Sequence, residues 1–337
     1  MAAGKAVEEP RRAGGPARRL DLAVAERSPA GRDFVWLALS APPDWQSLPG
    51  QFVNVRCESD ARAVRASEGR SLDPLTPLGA EEWPQATGLE LGGRRALVRR
   101  PYSIARLERR GGQVRVHLLV QAKGPGSQFL ASRPVGAAVD LVGPLGTHFE
   151  PPEGDRLCIL VSGGCGLAPI FGLAEALAAA GKRVVNLFGA TSTEAMPVRF
   201  AKKPRATGDH LEETSAVEEF SRLGVATILA TDDGSAGFRG PVTAALERYL
   251  EGLEGGEKPV LYGCGPEAML RRLAEIAGKR NLSCRISLER YMGCGIGVCL
   301  SCVSKRRDAS KPQGWTYRLT CQEGPVVDAG EMVWDDA

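Results

Sequence analysis

The chain has 337 residues, 43% of them hydrophobic and 25% charged, which excludes wholesale disorder and leaves room for two or three domains. Lys and Arg outnumber Asp and Glu by only 43 to 40, so there is no basic field for nucleic acid, and none is expected as a partner. Nine cysteines stand against three scattered histidines, His117, His148 and His210, which argues against a histidine metal centre and directs attention to the thiols.

Residues 1–19 are rich in Ala, Gly, Pro and Arg and lack an apolar stretch, so they read as a loose arm and not as a secretory signal. From 20 to 150, short runs rich in Val, Leu and aromatics occur at 20–27, 34–39, 51–56, 100–106, 114–120 and 138–142. Gly- and Pro-rich punctuation separates them, which predicts an antiparallel β-barrel. The polar stretch 58–97 reads as an insertion within it. The fourth run opens with Arg100, Pro101, Tyr102 and Ser103. A guanidinium suits a pyrophosphate, an aromatic ring can cover a flavin, and a hydroxyl can bond to the flavin's polar edge. Further on, Lys123-Gly124-Pro125-Gly126-Ser127 is a glycine-rich turn at a helix start, where backbone N–H groups can hold phosphate. Either motif alone also fits an ordinary strand end or loop.

From 151 to 285 the pattern alternates. Strands are expected at 156–162, 183–188, 226–231 and 259–262, and helices at 169–180, 242–250 and 267–279. Such alternation predicts a parallel α/β sheet that binds ligands at the carboxyl ends of its strands. The apolar stretch 157–180 is broken by Gly163, Gly164, Gly166 and Pro169 and contains Glu175, so it reads as strand, turn and helix. No membrane association is expected. Three loops follow strand ends: Gly163-Gly164-Cys165-Gly166, Thr231-Asp232-Asp233-Gly234 and Gly263-Cys264-Gly265-Pro266. Together they outline a nucleotide crevice, although none is the G-x-G-x-x-G fingerprint. Glu194, Asp232 and Asp233 disfavour a 2′-phosphate, so NAD(H) is expected over NADP(H). Arg222 precedes its strand, and Arg239 reaches the crevice only if its loop folds back.

Residues 286–337 form a third region, too short for an apolar core of its own. Cys294, Cys299, Cys302 and Cys321 follow the spacing C-x4-C-x2-C, then eighteen residues, then C. This is the plant-type [2Fe-2S] spacing, and Gly293, Gly295 and Gly297 let the loop wrap closely. A four-thiolate zinc site is the alternative, although such sites more often carry two C-x2-C knuckles. Cys57, Cys158 and Cys284 read as small buried hydrophobes.

In this order the motifs resemble the ferredoxin-NADP reductase superfamily, and within it the electron-transfer subunits of NAD-dependent dihydroorotate dehydrogenases. The resemblance runs from about residue 20 to the end. It rests on P-G-Q-F-V at 49, R-P-Y-S at 100, K-G-x-G-S at 123, G-P-L-G at 143, G-G-C-G-L-A-P at 163, T-D-D-G-S at 231, G-C-G-P-E-A-M-L at 263 and S-L-E-R-Y-M-G-C-G-I-G-V-C at 287. It implies that Arg100, Pro101, Tyr102, Ser103, Leu119, Val120, Gln121, Gly126 and Ser127 bind FAD. Gly163, Gly164, Gly166, Asp232, Cys264, Gly265 and Pro266 would face NAD(H), and the four late cysteines would ligate the cluster. It further implies a cytoplasmic heterotetramer with an FMN subunit that oxidises dihydroorotate to orotate in pyrimidine biosynthesis. Electrons would pass from FMN to cluster, FAD and NAD+, with the cofactors doing the chemistry and no catalytic acid or base in this chain. Two other readings stay open: the flavin subunit of a sulfide dehydrogenase or ferredoxin:NADP+ oxidoreductase, and a zinc-tailed regulatory module without catalysis. Three features depart from the family pattern: the 58–97 insertion, the long stretch between Cys302 and Cys321, and Cys165 where Gly is expected.

Overall fold

A computed structural model describes residues 15–57, 99–253 and 257–334. The 58–97 insertion and most of the N-terminal arm lie outside the described residues. Six strands, β1 (Arg18–Ala30), β2 (Phe34–Ala41), β3 (Phe52–Val55), β4 (Arg100–Arg110), β5 (Gln113–Gln121) and β6 (Ala138–Leu145), close into a barrel in the order β1-β2-β5-β4-β3-β6. Period-two alternation builds it. On β2, Val35, Leu37 and Leu39 enter the barrel core, and on β5 so do Val114, Val116, Leu118 and Val120. Each such side chain contributes about 1.5–3 kcal/mol by leaving water. Helix α1 (Pro125–Ser132) follows β5 and adds Leu130 and Ala131 to this core.

The next unit contains β7 (Cys158–Gly163), α2 (Leu167–Ala179), β8 (Val184–Ala190), β9 (Ala206–Gly208), β10 (Glu213–Thr214), α3 (Glu218–Ser221), β11 (Ala226–Thr231), β12 (Gly237–Arg239), α4 (Val242–Glu251), β13 (Val260–Cys264), α5 (Glu267–Arg280) and β14 (Ser283–Ser287). The C-terminal stretch supplies β15 (Val303–Arg307), β16 (Trp315–Leu319), α6 (Thr320–Glu323) and β17 (Val326–Asp328). The main sheet runs β17-β14-β13-β7-β8-β11-β12-β9, with β10 against β11. All its pairings are parallel except those of β10 and β17. Alternate residues of β7 serve its two faces: Cys158 and Leu160 on one, Ile159 and Val161 on the other.

Helix α2 is almost wholly apolar because both of its sides are covered. Leu167, Ile170 and Leu177 pack with the sheet, while a Cβ at Gly172 would stand 2.9 Å from the carbonyl oxygen of Ala105 on β4. Arg106 of β4 also reaches Glu175 of α2 at 2.8 Å. This β4–α2 seam holds the barrel against the sheet. The C-terminal region, lacking a core, borrows one: Cys302, Cys321 and Met292 are buried with Phe52 and Leu145 of the barrel, and β17 extends the sheet.

Candidate functional site

A cavity of about 550 Å³ opens where barrel, sheet and C-terminal region meet. The barrel lines it with Phe52, Pro101, Tyr102, Ser103, Leu119 and Gln121; the sheet side with Cys165, Ala168 and Cys264; and the approach to the cysteine loop with Ser287 through Met292. Pleating explains the alternation on β5. Leu119 and Gln121 face the cavity, whereas Val120 turns its side chain into the barrel core and can offer the cavity only backbone groups. Those groups are available on one side, because the registered pairs between β4 and β5 end at Ile104 and Leu118. Burial raises the pKa of the Tyr102 phenol, with Cys57 at 4.0 Å reinforcing the shift, so it stays a neutral donor.

Arg100 begins β4, and a Cβ at Gly126 would lie 3.5 Å from its Cγ. This places the Arg100 side chain against the N-terminal turn of α1, where an anion is favoured. Ser127 closes that turn from inside: its hydroxyl accepts from the N–H groups of Lys123 and Gly124, both at 3.0 Å, and donates to the Gly124 carbonyl at 3.1 Å.

The three loops share the carboxyl edge of the sheet. Cys264 is in register with Ser162, Gly163 with Gly189, and Ala190 with Thr231. Three strand spacings of about 4.8 Å separate Cys264 from Asp232, roughly 14 Å of crevice. The first and last loops stack: a Cβ at Gly166 would stand 2.1 Å from the Cys264 carbonyl oxygen. Burial, then Glu289, pushes the Cys165 thiol up to about 12, and its Sγ donates to Glu289 at 3.2 Å. Burial likewise raises Cys264. Burial thus favours the neutral form of both thiols where they line the cavity.

Arg239 changes the electrostatic expectation for the crevice. The loop after β11 does fold back. The Thr231 hydroxyl donates to the Ala236 carbonyl at 2.7 Å, the Gly240 N–H to the Thr231 carbonyl at 2.9 Å, and Arg239 is in register with Thr231. Its side chain passes over Gly234. A cation thus stands at the same strand ends as Asp232 and Asp233. Arg222 remains at the other end of β11, paired with Glu218.

In the cysteine loop, Cys294 Sγ accepts from the N–H groups of Ile296, Val298 and Cys299 at 3.3–3.4 Å, and Cys299 Sγ from that of Cys294 at 3.4 Å. Gly295 and Gly297 have φ of +72° and +85°, which such wrapping requires and other residues resist. The Ser301 hydroxyl and backbone, with the Cys294 N–H, lower the Cys299 thiol to about 6. Backbone donors converging on these sulfurs favour thiolate, the form that binds iron. Among the described residues no three His, Cys, Asp or Glu groups are arranged to hold a lone metal ion. Four cysteine thiols, two of them receiving backbone N–H groups at sulfur, are the donor chemistry a [2Fe-2S] cluster takes.

Sequence reasoning assigned no role to two contributors. Asn54 of β3, fully buried, donates to the Cys294 carbonyl at 2.5 Å and ties the barrel to the cysteine loop. Ser287 through Met292 run from the sheet past the cavity to Cys294, and Arg290 pairs with Glu267. A mixed polar and aromatic stretch directly before the first cysteine was the available signal.

With this geometry in view, comparison with known proteins settles the class. The structure of an NADH-dependent reduced ferredoxin-NADP oxidoreductase superposes with a TM-score of 0.66 at 20% identity, covering 93% of this chain and 90% of that one. The fold is therefore that of ferredoxin-reductase-type proteins, here with a four-cysteine extension. Residues 289–333 match the iron–sulfur cluster binding domain of dihydroorotate dehydrogenase B. The electron transfer subunit of dihydroorotate dehydrogenase B (NAD(+)) from Caldanaerobacter subterraneus subsp. tengcongensis is 34% identical over 240 residues, 71% of this chain and 83% of that protein. Its counterpart from Bacillus cereus strain Q1 is 36% identical over 239 residues, 70% of this chain and 81% of that protein. The chain belongs to this family of electron transfer subunits.

Proposed function

We propose that the protein is the electron-transfer subunit of an NAD-linked dihydroorotate dehydrogenase. It takes electrons from a partner FMN subunit that oxidises dihydroorotate to orotate in pyrimidine biosynthesis, and delivers them to NAD+. The observation that carries this reading is the shared cavity. One space of about 550 Å³ is lined by the flavin-type strip Pro101–Ser103, by Cys264 of the nucleotide edge, and by Met292, two residues before Cys294. When bound, FAD supplies two-electron exchange with nicotinamide and one-electron exchange with a [2Fe-2S] cluster.

The chain's own residues bind and orient. Arg100 and the start of α1 hold the pyrophosphate, while Tyr102, Ser103, Leu119 and Gln121 form the wall against the flavin ring. The stacked turns of Gly163–Gly166 and Cys264–Pro266 position the nicotinamide, and Asp232 accepts from ribose hydroxyls. Cys294, Cys299, Cys302 and Cys321 hold the irons. Nine thiols without a disulfide suit a reducing cytoplasm, and among the described residues no helix is long and apolar enough to cross a membrane. A heterotetramer with the FMN subunit is the proposed assembly.

Arg239 specifically favours the competing ferredoxin:NADP+ oxidoreductase reading, so nucleotide choice is the test. The purified chain should carry FAD with about two irons and two sulfides. With an artificial acceptor, kcat/KM for NADH should exceed that for NADPH by about tenfold or more, because Glu194, Asp232 and Asp233 oppose a 2′-phosphate. A preference for NADPH would install the competing reading. A colourless zinc protein without flavin would install the regulatory-module reading.

A further inference from the structure

A second cavity, of about 360 Å³, lies on the far side of the β4–α2 seam. The first cavity uses Pro101 and Ser103 of β4 and Ala168 of α2; the second uses Arg106, Glu108 and Arg110 of β4 and Phe171 and Glu175 of α2. Its floor is the outer face of the barrel. Trp36, His117 and Arg115 point out from β2 and β5, between the inward-facing residues of the core. Its opposite wall is the segment around α3, which brings Arg199 and Arg222.

Five arginines line this space, and the sequence shows no motif for it because they come from four separate stretches of chain. Three are matched by carboxylates of the same cavity: Arg106 with Glu175 at 2.8 Å, Arg115 with Glu26 at 3.6 Å, and Arg199 with Glu219 at 3.4 Å. Glu108 is engaged by His117 at 3.1 Å. The cavity therefore holds no carboxylate for the remaining two. Arg110 comes from the barrel side; Arg222 comes from the sheet side, and its carboxylate partner Glu218 stands outside the lining. Trp36 and Phe171, whose centroids are 6.0 Å apart, line the same cavity with aromatic surface.

From this we infer a ligand site for a small aromatic phosphate of nucleoside monophosphate type, its ring against Trp36 and its phosphate between Arg110 and Arg222. Guanidinium groups match phosphate oxygens in geometry and charge, and aromatic faces accept a base. A volume of about 360 Å³ falls within the range of small-ligand pockets. Because such a ligand touches both barrel and sheet, it would brace the seam that also forms the flavin-side cavity. The site does not depend on the proposed electron path.

The test uses the holoprotein and uridine 5′-monophosphate, with uridine and inorganic phosphate as the ring-only and charge-only probes. An adenylate is avoided because it also suits the dinucleotide crevice. Calorimetry should show the monophosphate binding at least tenfold more tightly than either probe, with NAD+ at saturation leaving its Kd unchanged. Arg110→Ala and Arg222→Ala, both at exposed positions, should each weaken it by about tenfold or more. Competition by NAD+, equal binding of inorganic phosphate, unchanged affinity in both variants, or no binding at millimolar monophosphate would each overturn the assignment.

Discussion

Gly166→Ala should destabilise the sheet unit and impair nucleotide use while sparing the flavin and the irons. Gly166 has an ordinary helical φ of −60° at the entrance to α2. Alanine therefore meets no backbone penalty, and at a helix N-cap it gains no propensity over glycine. Space decides the sign. The new Cβ would lie 2.1 Å from the Cys264 oxygen, 2.4 Å from its carbonyl carbon and 2.7 Å from the Gly265 nitrogen. All three are backbone atoms at the end of β13, so no side-chain rotation relieves the clash. The two turns must part by about 1 Å to restore van der Waals contact, and overpacking of this kind costs about 1–3 kcal/mol. With no propensity gain to offset it, the loss is about 1–3 kcal/mol, or a Tm fall of about 2–12 °C for a unit of this size. Misplacing a positioning turn by about 1 Å should also lower kcat/KM for NADH by about tenfold or more. Calorimetry and an NADH-dependent acceptor assay read both effects, with flavin absorbance and iron content as controls. A variant with wild-type Tm and wild-type kcat/KM would refute the stacked-turn argument.

Three further outcomes are expected. Cys299→Ser should lose most iron and acid-labile sulfide while FAD stays bound, since the cysteine loop and the flavin strip belong to different units; unchanged iron would remove Cys299 from the ligand set. Arg100→Ala should weaken FAD retention on dialysis and leave the iron nearly intact, and equal flavin occupancy in variant and wild type would misplace the pyrophosphate. His117 is held below its ordinary pKa by burial, which outweighs the opposing pull of Glu108. The unfolded chain therefore takes up this proton first, and stability falls as pH drops below about 6.5 toward the folded value. Urea midpoints at pH 7 and pH 5 should show a smaller loss in His117→Gln than in wild type; an equal loss would show that His117 carries none of the acid sensitivity.

The barrel strands, four of the parallel strands (β7, β8, β11 and β13) and the cysteine spacing were legible in the chain because each is a local pattern, whereas β14, which pairs in parallel with β13, was not read. Val35-Trp36-Leu37 alternates with a period of two wherever it is placed, and the interval from Cys294 to Cys302 lies within one loop. The short strands β9, β10 and β12 were not legible: two or three residues carry no periodicity, and their pairing partners lie elsewhere in the chain. Tertiary structure alone decided that Val120 turns away from the cavity while Leu119 and Gln121 face it, because the inner side of a strand depends on what closes around it. It alone folded the loop after Asp233 so that Arg239 returned to the crevice, and brought Asn54 to Cys294 across 240 residues. Such contacts depend on which surfaces meet once the cores have formed, and neither hydrophobic period nor motif spacing encodes that meeting.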